Sequence, residues 1–234
     1  MGFDLYVGTL TRFYASDWET QLQVAARHVG VPVIRRPPTG SDPVPNAREV
    51  QQLIESWQQE LSATVHQVQC IDEPITWSEA ATEPYFTIPL EVERYAALVL
   101  LAAYTELPKS KFRWSSKLPT ELHRDWFNDA QLRRALESDT PRTFSHLYRP
   151  DLWLPVPLRI PVKTPGPTGQ TIICGSSQIL QQQLNDLASA ASPTFDRQLA
   201  TENALVGYAR SGLQLLRHMA SKSIQHRLPM LLYS

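Results

Sequence analysis

Ten consecutive residues, Tyr95 to Tyr104 (YAALVLLAAY), contain no charged side chain. A helix that is apolar all the way round has no face to offer water and must be enclosed by other elements. The run is only about half of the roughly 20 residues that a membrane-spanning helix needs, so a bilayer is not its solvent. It reads as the buried central helix of a cytoplasmic protein, predicted over Leu90 to Glu106 and entered from the segment PYFTIP.

The rest of the chain must supply the enclosure. In SDWETQLQVAARHVG, Ser16 and Glu19 have capping-box spacing, and Trp18, Leu22, Ala25, Ala26 and Val29 recur at helical intervals before Gly30. Asn46 and Glu49 repeat the capping pattern ahead of a stripe formed by Val50, Leu53, Ile54, Trp57 and Leu61. Further helices are predicted over TELHRDWF and NDAQLRRALES, with Thr120 and Asn128 as caps, over SSQILQQQLNDLASA, and around ENALVGYARSGLQLLRHMASKS.

Strands are predicted over Phe3 to Leu10, VPVIRR, VHQVQC and the terminal RLPMLLYS. The first seventy residues then read strand, helix, strand, helix, strand, which favours a βαβ-type sheet. In LPVPLRIPVKTPGPTGQTIIC two extended segments meet at a Pro-Gly turn, and Pro155, Pro157 and Pro161 consign the first to a sheet edge. The expected fold is α/β or α+β, a mixed sheet packed by several amphipathic helices with one largely apolar central helix. We read residues 1–234 as one domain, and the point for a subdomain break is the polar loop 107–119.

Composition removes several classes of function. Apolar residues are 42% and charged residues 19% of the chain, enough for a core and too little charge for disorder. Twenty-two Lys plus Arg against twenty-three Asp plus Glu leave no positive excess for a phosphate backbone, so general nucleic-acid binding is not expected. Two cysteines, Cys70 and Cys174, each at the end of an apolar strand-like run, do not make a disulfide framework. Asp4 interrupts the opening residues, and Tyr6 stands where a myristoylation motif wants Ser or Thr, so neither a secretory signal nor a lipid anchor is read there.

The stretch most like a site is QTIICGSSQIL, an apolar strand running through Gly175, Ser176 and Ser177 into a helix. Backbone N–H groups at such a turn can hold an anion, and glycine lets it approach closely. The segment nevertheless lacks both the P-loop and the dinucleotide fingerprint, and a serine helix cap with Leu180, Leu184 and Leu187 facing the core accounts for the same residues. No Gly-x-Ser-x-Gly elbow occurs, both cysteines are read as buried structural thiols, and no cofactor motif is present. Glu121, His123, Asp125 and Asp129 crowd one segment, but a helix there would turn His123 away from Glu121 and Asp125, so the reading is a solvated face and not a metal site. His218 and His226 suit the negative end of the last long helix. Trp18 and Trp57 belong to the core, whereas Trp114 beside Arg113, in a loop holding three of the five lysines, is the candidate partner-binding anchor.

The opening MGFDLYVGTLTRFYASDWE, the middle PYFTIP and RYAALVLLAAY, and the closing HRLPMLLYS resemble a group of uncharacterised bacterial proteins that open Met-Gly-Phe/Tyr-Asp-Leu-Tyr. Some small proteins of that kind are associated with toxin immunity, so the resemblance implies partner binding and transfers no functional residue. The expected function is therefore a protein-binding, immunity-like module without catalytic activity. The alternative is an enzyme or a small-molecule or anion binder built on residues 174–178.

Overall fold

A computed structural model describes residues 2–32, 46–71, 74–106, 126–137, 142–148, 150–198 and 204–233. Six strands form one mixed sheet: β1 (Gly2–Val7), β2 (Phe86–Glu91), β3 (Leu152–Leu154), β4 (Val162–Pro165), β5 (Thr171–Ser176) and β6 (Met230–Tyr233). Their spatial order is β2-β1-β6-β3-β5-β4, and only the β3–β5 pair is parallel. Eight helices among the described residues pack on it: α1 (Leu10–Tyr14), α2 (Gln21–His28), α3 (Ala47–Gln69), α4 (Val92–Thr105), α5 (Ala130–Glu137), α6 (Ser145–Tyr148), α7 (Ser177–Gln198) and α8 (Ala204–His226).

Strand alternation sorts the interior into two cores, because successive side chains leave a strand on opposite faces. Leu5, Val7, Trp153 and Met230 point to one face and join α4, α7 and α8. Tyr6, Leu152, Leu154, Ile172, Cys174 and Leu231 point to the other and join α1 and α3. The registers agree: Tyr6 lies opposite Leu231, which lies opposite Leu152, which lies opposite Cys174.

The apolar run behaves as its composition requires. Every residue from Tyr95 to Tyr104 is buried, with β2, α5, α7 and α8 around the helix. The tyrosine at each end of the run satisfies its hydroxyl, Tyr95 on the Leu147 carbonyl at 3.1 Å and Tyr104 on Asp129 Oδ2 at 3.0 Å. Helix α8 crosses α4 at Gly212, where a Cβ would stand 2.5 Å from the Arg94 carbonyl oxygen, so glycine suits this crossing. Proline sits in both edge strands, Pro89 in β2 and Pro165 in β4, and denies an incoming strand a backbone donor.

Several local expectations are corrected. VHQVQC is not a strand: helix α3 continues to Gln69, so among the described residues the opening elements are one strand followed by three helices, without the predicted third strand. Val65 extends the Ile54, Trp57, Leu61 stripe by one turn, and Gln69 anchors the helix end by donating to the Ile160 carbonyl and accepting from Arg159 N–H. Leu53 of that predicted stripe is exposed. The strongly apolar helix starts at Val92, two residues later than predicted, because Phe86–Glu91 pairs with β1 along its whole length. Thr20 and Gln23, not Ser16 and Glu19, form the capping box of α2. Asp129 takes the place predicted for Asn128, its Oδ1 accepting from the N–H groups of Gln131 and Leu132. Of VPVIRR, residues 31 and 32 are irregular and the remainder lies outside the described residues, as do Thr120 and most of TELHRDWF. The predicted Asn46 cap, the edge position of β4 and the terminal strand are all observed.

Candidate functional site

The turn at 174–178 is bonded internally. Gly175, Ser176 and Ser177 are all buried. A Cβ on Gly175 would meet Pro150 Cγ at 2.7 Å and Trp153 Cδ1 at 3.0 Å, so this glycine makes room for the protein's own side chains. Ser176 N–H donates to His146 Nδ1 at 2.8 Å, and Ser176 Oγ accepts from Ile179 N–H at 3.2 Å. Ser177 Oγ lies 2.7 Å from Ser223 Oγ, whose single proton goes to the Leu228 carbonyl, so Ser177 is the donor of that pair. Two donors and two hydroxyls that an anion would recruit are thus engaged in joining β5 to α6, α7 and α8.

His146, which no sequence motif singled out, is the hub of this network. Besides Ser176, its backbone N–H donates to Gln183 Oε1 and its carbonyl accepts from Trp153 Nε1 at 2.6 Å. Burial lowers its pKa to about 4, opposed by the hydrogen bond to the Arg159 carbonyl. The ring is therefore neutral near pH 7, with Nδ1 the acceptor and the proton on Nε2. Burial also pushes the Cys174 thiol up to about 12, with the charge of Asp151 adding to the effect, so it is not a thiolate at neutral pH. Cys70 is neither buried nor in a strand: it ends α3 in a left-handed conformation and is exposed.

Arg113 and Trp114 lie outside the described residues, as do Glu121, His123 and Asp125. Among the described residues no group of three or more His, Cys, Asp and Glu gathers as a metal site, and no helix is long and apolar enough to cross a membrane.

Two surface features stand out instead. The first is a cavity of about 470 Å³ where α1 meets the ends of β3, β5 and β6. Its walls include Phe13, Tyr14, Ile172 and Tyr233, and its rim carries Asp151 and Gln170. Helix α1 is fixed in place from the segment 74–85: Glu79 accepts the N–H groups of Leu10 and Thr11 and the Trp77 indole, while Arg12 donates to the Ala81 and Glu83 carbonyls. Gln170 Nε2 donates to Tyr14 Oη at 3.1 Å and Gln170 Oε1 accepts from Thr168 Oγ1. Asp151 is held by Ile173 N–H at 2.9 Å on Oδ2. Burial keeps the Tyr14 phenol above its ordinary pKa, so it remains protonated.

The second is α2. None of its residues is buried, and the stripe predicted to face the core faces solvent: Leu22 is 79% exposed and Val29 76%, with Ala25 exposed between them. Half-buried Gln23, Val24 and Ala26 lie on the inner side. The segment is tied down ahead of its first turn by the bond from Thr87 Oγ1 to the Glu19 carbonyl and by a 3.1 Å ion pair between Arg27 and buried Glu19. Trp18, which the sequence pattern places on the same stripe, departs from it before the helix begins and joins the core beside Phe13 and Tyr6.

Comparison of the chain with protein-family models, curated proteins and solved structures found no match.

Proposed function

We propose that this protein is a protein-binding module that recognises its partner through the outward apolar stripe of α2, in keeping with the immunity-like role that the resemblance of its opening and closing segments implies. The observation that carries this reading is the exposure of Leu22 and Val29 one above the other on a capped helix. Scattered exposed leucines are ordinary, but an apolar stripe along a whole helix face is the form of surface that proteins reserve for a partner. The internal bonding of Gly175, Ser176 and Ser177 favours this reading over an anion site at the turn.

The edge strands, each carrying a proline, disfavour recognition by strand addition, which leaves helix-in-groove docking as the mode that fits. Leu22, Val29 and Val31 make a short outward apolar stripe whose fitting counterpart is an apolar groove on a partner protein.

The test is a Leu22→Glu/Val29→Glu double variant. Because both side chains are exposed, the free chain should keep its stability within about 0.5 kcal/mol. A partner identified by capture should bind the variant at least about 100-fold more weakly, from the loss of roughly 1.5 kcal/mol or more per buried side chain. Equal affinity of wild type and variant for that partner removes α2 from recognition.

A further inference from the structure

We propose that the cavity between α1 and the ends of β3, β5 and β6 binds an organic cation: a primary ammonium or guanidinium group on an aliphatic stem. This goes beyond partner recognition by α2 and rests on a different surface.

The cavity's volume of about 470 Å³ lies in the range of small-ligand pockets, roughly 300 to 1,000 Å³. Its lining holds one charged side chain, Asp151, and no Lys, Arg or His. The carboxylate is pre-oriented, because Ile173 N–H holds Oδ2 and leaves Oδ1 for a ligand. Among the described residues Asp151 has no ion-pair partner. The negative charge is felt within the protein, where it helps push up the pKa values of Tyr14 and Cys174.

Behind the carboxylate the wall is aromatic. Phe13 and Tyr233 meet edge to face at 5.7 Å, Tyr14 packs edge-on to Phe13 at 5.4 Å, and Ile172 is buried beside them. The electron-rich faces of such rings attract a cation, and the aliphatic floor takes up its stem.

Three alternatives fit the site less well. An anion meets an uncompensated carboxylate. A purely apolar ligand strips water from that carboxylate without replacing its bonds. A neutral alcohol gains the apolar contact but not the charge. A cation gains the carboxylate, the aromatic lining and the phenol oxygen of Tyr14, which already accepts one hydrogen bond from Gln170.

The same group could arrive as a free amine or as the lysine or arginine side chain of a protein, and the probes separate these sources. Methyl NMR of Ile172, Leu231 and Leu232 is titrated with n-butylammonium, with butylguanidinium, with the blocked peptide acetyl-Gly-Lys-Gly-amide, and with n-butanol as the neutral isostere. Saturable shifts with a dissociation constant near or below about 1 mM for at least one cation, and at least ten-fold weaker binding of n-butanol, are expected. Tighter binding of the free cations identifies a small amine as the natural ligand, and tighter binding of the peptide identifies a side chain.

Asp151→Asn keeps an oxygen for Ile173 N–H while removing the charge, and should weaken the best cation at least ten-fold. If that variant does not fold, the wild-type cation affinity should still fall several-fold on raising NaCl from 20 to 300 mM. Equal binding of butanol and butylammonium, or no saturable shift with any cation, overturns the proposal. So does a cation affinity unchanged in a folded Asp151→Asn. None of these outcomes bears on the α2 variant, so the two proposals fail separately.

Discussion

Acid should unlock the protein at His146. Its ring is fully buried, accepts Ser176 N–H, and titrates at about 4 against an ordinary 6.5. Between those two values the unfolded chain binds a proton that the folded chain refuses, so stability is intact above about pH 6.5 and falls as pH drops towards about 4. At 1.36 kcal/mol for each pH decade the full loss is about 3 kcal/mol, most of it reached by pH 4.5. That is a large part of the 5–15 kcal/mol that typically separates folded from unfolded chains.

Other groups titrate over the same range, so the measurement is a difference. Urea unfolding, followed by tryptophan fluorescence, is compared at pH 7.5, 6.5, 5.5 and 4.5 for wild type and His146→Asn. The asparagine side chain keeps an acceptor for Ser176 N–H but does not titrate, and its lost packing costs the same at every pH. The stability advantage of wild type should therefore shrink by about 2–3 kcal/mol between pH 7.5 and 4.5. A constant difference across that range, or a His146 resonance titrating near 6.5, would refute the assignment of a neutral, buried imidazole.

Two further outcomes follow from the packing and the thiols. Gly212→Ala and Gly207→Ala, both in α8, should have opposite signs: the first forces a Cβ against the Arg94 carbonyl and should cost about 1–2 kcal/mol after its gain in helix propensity, while the second meets nothing within 4 Å and should stabilise by about 0.5–1 kcal/mol. Paired urea melts read both, and the same sign for the two contradicts the close α4–α8 crossing. With a thiol reagent at pH 8, exposed Cys70 should react at once and buried Cys174 only on unfolding, and two fast equivalents in the native protein contradict the buried position of Cys174.

The parts of the fold that were legible in the sequence are those set by one segment alone. An uncharged ten-residue run can only be enclosed, and α4 is. The closely spaced Pro155, Pro157 and Pro161 lie in the irregular connection between β3 and β4 and not in a strand, and β4, which they lead into, is the sheet edge. VHQVQC misled because two valines among polar residues imitate a strand, whereas the helical continuation from Leu61 to Val65, held by Gln69 against a loop ninety residues away, decides the matter. The stripe of α2 was legible as a stripe, but periodicity reveals that an apolar face exists and not what lies opposite it.

The cavity and the His146 hub were illegible for a related reason. Phe13, Tyr14, Asp151, Gln170 and Tyr233 come from four elements or their connections, and only the strand order β6-β3-β5 brings them to one corner. His146 sits in the four-residue helix SHLY, whose partners Trp153, Ser176 and Gln183 bear no motif relation to it.

The outward face of α2 can be measured without any partner in hand. A soluble paramagnetic agent added to methyl-labelled free protein should relax the Leu22 and Val29 methyls strongly and leave those of Leu61 and Leu98 nearly untouched. Protection of Leu22 and Val29 equal to that of the two interior leucines would mean the helix packs its stripe inward, and the recognition surface proposed for this protein would not exist.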